Sequence, residues 1–179
     1  MGNQVAIRCI LMINESSRKL TNFTSVLLLL IKECRLERGV HQAQLAEKIN
    51  KSPSSFAKIE TGKSPLTMEV FLACCSSLMI SPSAVMATAE RYGNLLTNNG
   101  WTLLNSSLEE NDDELLKESQ EYYSSPGYKA RLNISSALNG PFYYPNGNVD
   151  GLAVFLFAIS DVFKNQQLTY SNPLLPGWS

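Results

Sequence analysis

The 179-residue sequence predicts a mainly α-helical protein, and three observations carry that prediction. Apolar residues recur at three- and four-residue spacing through a string of short segments between Leu27 and Leu96, the period of one helical face. The segments are punctuated by Ser52-Pro53, Thr67 and Ser81-Pro82, residue types that cap a helix or are preset for its first turn. Aromatic residues divide unevenly: Phe23, Phe56 and Phe71 precede residue 88 and thirteen others follow it, which implies a second module with a core of its own. The expected organisation is an N-terminal arm (1–24), a five-helix domain (25–98) and a mainly helical C-terminal module (99–179).

The first 25 residues say least. "QVAIRCILMI" alternates poorly and is interrupted by Arg8, so it reads as a short strand or an arm. No basic stretch precedes it and no small-residue cleavage site follows, so it does not read as a secretory signal. "FTSVLLLLI" is too short for a membrane span and runs straight into "KECRLER". The first helix is expected over Leu27 to Arg38, closing at Gly39. In "HQAQLAEKINKSPSSFAKIETGKS" (41–64), Leu45, Ala46 and Ile49 form the apolar face of a second helix, which ends at Asn50, a residue that tolerates left-handed backbone angles cheaply. Ser52 caps the third helix, Pro53 opens it, Phe56, Ala57 and Ile59 form its apolar face, and Thr61-Gly62 stops it. Helices this short are marginal alone, since isolated helices below about 12–15 residues barely form in water, and they require neighbours. A fourth helix, Thr67 to Leu78 with Phe71, Cys74, Cys75 and Leu78 on one face, and a fifth, from Ser81-Pro82 through "SAVMATAERYGNLL", supply them.

The later chain differs. "SLEENDDELLKESQEYY" (107–123) reads as an acidic surface helix with Leu108, Leu115 and Tyr122 in register, and Asp112-Asp113 as part of a solvated face. A Gly-, Pro- and Asn-rich stretch from Ser124 to Asn148 encloses "RLNISSALNG", read as a brief helix. "VDGLAVFLFAISDVFK" (149–164) reads as a helix apolar nearly all round. It is too short to cross a bilayer, which needs about 20 residues, so it is buried in protein. Either it is the centre of the C-terminal core, or a second subunit covers part of it; in the latter case Leu152, Phe155, Leu156, Ile159 and Phe163 form the dimer interface. Phe142-Tyr143-Tyr144, with Tyr170 or Trp178, are alternative walls of a ligand pocket, although aromatics more often serve as core.

Gln42, the Leu45-Ala46 pair, Ile49, Ser52, Phe56, Ile59, Glu60 and Gly62 together make residues 27–87 resemble the lambda-repressor-like (Xre-like) helix-turn-helix DNA-binding domain. Two positions depart from the family pattern: Asn50 replaces the usual turn glycine, and Lys51 the usual apolar residue after it. The resemblance implies that the third helix enters the major groove of double-stranded DNA, with Ser54, Ser55 and Lys58 at base-contacting positions and Gln42 on a phosphate. Lys58 can reach the acceptor pair of a guanine, whereas serine hydroxyls discriminate poorly. Lys51 and Lys63 flank that helix and suit phosphate contacts. Glu60 does not suit a phosphate and is expected to pair inside the domain.

Charge agrees with this placement. Residues 1–87 carry ten Lys and Arg against six acids, net +4, whereas residues 88–179 carry five against ten, net −5. Catalysis is not expected: His41 is the single histidine, so HExxH is impossible, and no Walker loop, GxGxxG or GxSxG occurs. No cofactor and no metal site are expected either, since Cys9, Cys34, Cys74 and Cys75 lack CxxC spacing; the adjacent Cys74-Cys75 read as buried small hydrophobes in preference to a redox sensor. The functional expectation is a cytoplasmic, sequence-specific transcriptional regulator, a bacterial or phage repressor that binds a palindromic operator as a homodimer through its C-terminal half. The alternative is an antitoxin or phage-encoded inhibitor whose C-terminal module binds a partner protein and whose helix-turn-helix regulates its own gene.

Overall fold

The structure, a computed structural model, describes residues 19–108, 112–130 and 136–171. Strand β1 (Leu20–Asn22) leads directly into α1 (Phe23–Glu37), because Asn22 keeps an extended backbone and its side-chain oxygen accepts the Ser25 N–H at 3.0 Å. That cap starts the helix ahead of the apolar run that predicts it. The helix is apolar all round its middle, Val26 to Ile31, because α3 (Pro53–Glu60), α5 (Pro82–Asn98) and α6 (Glu114–Ser124) all pack on it. Gly39, at φ +63°, turns the chain out of it. With α2 (Gln42–Lys48) and α4 (Met68–Ser77), these first five helices start and stop close to where their caps place them. Ser52 accepts the Ser55 N–H at 3.2 Å, Thr67 accepts the Val70 N–H at 3.3 Å, and Pro53 and Pro82 occupy first turns.

Beyond α5 the chain returns to its own beginning. Strand β2 (Thr102–Leu104) pairs in parallel with β1, Leu20 opposite Thr102. In the acidic stretch α6 begins at Glu114, so Leu108 lies outside it while Leu115 and Tyr122 are buried on it. Asp113 is not on a solvated face: it is 2% exposed. Its carboxylate accepts hydrogen bonds from Thr21 Oγ1 (3.0 Å), Asn22 Nδ2 (3.2 Å), Ser25 Oγ (2.7 Å) and the Leu116 N–H (3.0 Å), so protein donors replace water around the charge. One residue thus caps α6 and ties it to the start of α1.

A short α7 (Pro126–Ala130) follows, and β3 (Phe142–Tyr143) pairs antiparallel with β4 (Val149–Asp150). Residues 131–135 of "RLNISSALNG" lie outside the described residues, and Ala137–Asn139 form a turn. The single helix expected over 149–164 is instead β4 followed by two helices, α8 (Ala153–Ile159) and α9 (Asp161–Leu168). The break falls at Ser160, which is extended and whose Oγ accepts the Phe163 N–H at 3.2 Å; with Asp161 in the first turn, a fresh helix starts there.

Helix α8 buries Val154, Phe155, Phe157 and Ala158 against α5 and α6. Tyr92 of α5 stacks on Phe155 at 4.2 Å between ring centroids, and its hydroxyl accepts the Leu152 N–H at 2.7 Å. A phenol therefore satisfies a donor at the helix start, and burial pushes its pKa up to about 12. One apolar core runs from α1 through α8. Glu118 of α6 pairs with Lys19 at 2.9 Å and with Lys164 of α9 at 2.6 Å, so it joins the first described residue to the last described helix. No single helix among the described residues is long and apolar enough to cross a membrane. Cys9 and Trp178 lie outside the described residues.

Candidate nucleic-acid interface

Helices α2 and α3 are joined by a turn of four residues, Ile49 to Ser52. Asn50 takes φ +55° there, the left-handed conformation that lets the second helix begin at once, and the Lys51 N–H donates to Ala46 O at 2.9 Å to close the turn. Leu45, Ala46, Phe56 and Ile59 are buried, so the facing sides of both helices are committed to the core. This leaves the opposite side of α3 in solvent, where Pro53, Ser54 and Lys58 are exposed and Ser55 is half-buried. Lys51 and Lys63 are exposed at its two ends. Ser54 Oγ lies 3.3 Å from Ser52 Oγ, close to the cap that starts the helix.

A buried ion pair holds α3 from behind. Arg35 of α1 donates to both carboxylate oxygens of Glu60, Nε to Oε1 at 2.7 Å and Nη2 to Oε2 at 3.0 Å, and its third nitrogen, Nη1, donates to the Val40 carbonyl at 2.9 Å. Both side chains are nearly inaccessible, 7% and 4% exposed. Gln42, at the start of α2, donates from Nε2 to Glu60 Oε2 at 2.6 Å. A bidentate guanidinium–carboxylate pair fixes orientation as well as distance, so three helices are registered against one another at a single point. The expected internal role of Glu60 is therefore observed. Its partner was missed, although the sequence held a signal: Arg35 falls four residues after Ile31, on the apolar side of α1.

The other half of the chain also touches α3. Gly62, at φ +79° just past the helix, lies against the Leu116 side chain of α6; a Cβ there would overlap Leu116 Cδ1. Of the residues expected at a dimer interface, Leu152 and Phe155 are interior to the chain, where Phe155 packs on Tyr92, while Leu156, Ile159 and Phe163 are half-buried. The aromatic run Phe142, Tyr143 and Tyr144 is about half exposed, not core. Cys34 and Cys74 are buried, and desolvation pushes their thiols up to about 12; Cys75 is pushed to about 11. Thiols so far from ionisation are poor nucleophiles and poor redox sensors. His41 contributes a backbone N–H to Gln44 Oε1 at 2.9 Å, at the start of α2.

A family model described as helix-turn-helix matches residues 31–85. No curated protein and no solved structure matches the chain. The match spans α3, its turn and the helices that brace it, and ends inside α5, so the C-terminal half stands outside it. Residues 31–85, about a third of the chain, match the Xre-like (lambda-repressor-like) helix-turn-helix family of DNA-binding regulator domains.

Proposed function

We propose that the protein is a sequence-specific transcriptional repressor that binds a palindromic operator as a homodimer. The observation that carries this reading is the outer face of α3: Pro53, Ser54 and Lys58 are exposed while the inner face is locked by Phe56, Ile59 and the Arg35–Glu60 pair. A rigid helix with a free polar face fits a major groove about 12 Å wide. Lys58 reads a guanine, and Ser54 and Ser55 contact neighbouring base edges. Lys51, Lys63 and the remaining hydrogen-bonding capacity of Gln42 hold phosphates, which fixes register.

Two recognition helices are needed for a two-fold operator. We assign the dimer contact to α9, where Val162 is 70% exposed beside half-buried Phe163. Leu152 and Phe155 are spent inside the chain, and Leu156 and Ile159 line a groove described below. Selection of duplexes from a randomised pool tests the reading. A dyad-symmetric consensus is expected with the wild-type protein and its loss with Lys58→Ala; no enrichment by a folded wild-type protein would overturn it.

A further inference from the structure

Between the β3–β4 hairpin, the end of α5 and the α8–α9 junction lies an open groove of about 780 Å³, within the range of small-molecule sites. Half-buried Leu156 and Ile159 give its lining an apolar part, and half-exposed Tyr144 lines it as well. Around them stand the carboxamides of Asn99, Asn146 and Asn148 and the carboxylate of Asp150. Among the described residues, Asn99 uses Nδ2 on the Leu95 carbonyl, which leaves Oδ1 open. Asn146 uses Oδ1 on the Asn148 N–H, which leaves its two amide donors open. Asp150 uses Oδ1 on the Gly151 N–H, which leaves Oδ2 open.

The wall therefore offers donors and acceptors side by side, next to an aromatic face. Hydroxyl groups, each donor and acceptor at once, match such a mixed set, and the C–H faces of a sugar ring match the phenol. Among the described residues no Lys, Arg or His lines the groove and Asp150 supplies the one formal charge, which disfavours phosphorylated or carboxylate ligands. From this we infer that the groove is a binding site for a neutral polyhydroxylated ligand of monosaccharide size, stacked on Tyr144 and hydrogen-bonded by Asp150 and the three asparagines. The inference does not depend on the DNA-binding reading.

The test is a titration of the full ¹⁵N-labelled chain with D-glucose, D-galactose, N-acetyl-D-glucosamine and myo-inositol, with glucose 6-phosphate as the charged control. Saturable amide shifts confined to 144–150, 99 and 156–160 are expected for at least one neutral probe, with glucose 6-phosphate weaker. Tyr144→Ala should weaken that binding about tenfold or more, a loss of one good contact. Asp150→Asn, which keeps the hydrogen bond to Gly151, should weaken it without disturbing the hairpin. No saturable shift with any neutral probe, tighter binding of the phosphorylated sugar, or unchanged affinity in a folded Asp150→Asn protein would overturn the inference.

Discussion

Glu60 is where the chemistry of one residue most directly fixes the placement of α3. Its carboxylate is almost fully desolvated and is matched by the Arg35 guanidinium and the Gln42 amide. Removing one partner of a buried pair leaves the other uncompensated, at a cost of about 3–5 kcal/mol. Arg35→Ala should therefore lose stability of that order in urea unfolding; a loss below about 1 kcal/mol would put the pair in the class of exposed ion pairs. Ser52 makes the contrasting case. Its oxygen caps α3 without facing the core, so Ser52→Ala should cost about 1 kcal/mol and leave the selected consensus unchanged. Capping residues such as Ser52, Thr67 and the turn residue Asn50 were legible in the sequence because their effects are local. Asp113 was not, because its three side-chain donors, Thr21, Asn22 and Ser25, lie about ninety residues away.

At the level of elements, short-range signals worked where helices are capped and amphipathic, in α1 to α5, and failed where an apolar run masked a break. Nothing in the periodicity of 149–164 separates one helix from two, and only Ser160-Asp161 hints at the restart. Helices α6 and α9 are joined by Glu118, whose environment sets a pH dependence. Burial alone would raise its carboxyl pKa, but hydrogen bonds from Lys164 and Lys19 outweigh this and hold it below the ordinary value of 4.5. A carboxyl depressed in the folded state contributes stability above its unfolded pKa and loses it as pH falls through the folded pKa. Wild type should thus exceed Glu118→Gln in stability at neutral pH, with the gap closing in acid below about pH 4.5. A gap that stays constant down to pH 2 would show that Glu118 contributes through packing alone.

For the whole molecule, the shared core matters most. Composition suggested separate cores on either side of residue 88, but the apolar cluster is continuous, with α1 covered by helices from both sides and Tyr92 stacked on Phe155. A chain ending at Asn98 would expose that face of α1 and Tyr92 together, so it should melt broadly and at lower temperature than the full chain; a sharp transition with operator binding intact would show the first five helices to be self-sufficient. Contacts of this kind, including Leu116 on Gly62, are set by chain topology and leave no mark on local spacing. Pairing of two such molecules through α9 predicts that Val162→Asp yields a monomer in analytical ultracentrifugation and weakens operator binding. The most direct test of α3 as the reading element uses the selected duplex with each consensus guanine replaced in turn by 7-deazaguanine, which removes one major-groove acceptor. If Lys58 reads a guanine, one position per half-site should weaken wild-type binding about tenfold and leave Lys58→Ala binding unaffected. Equal losses in the two proteins, or no loss at any guanine, would contradict the assignment of Lys58 and of the outer face of α3 to the major groove.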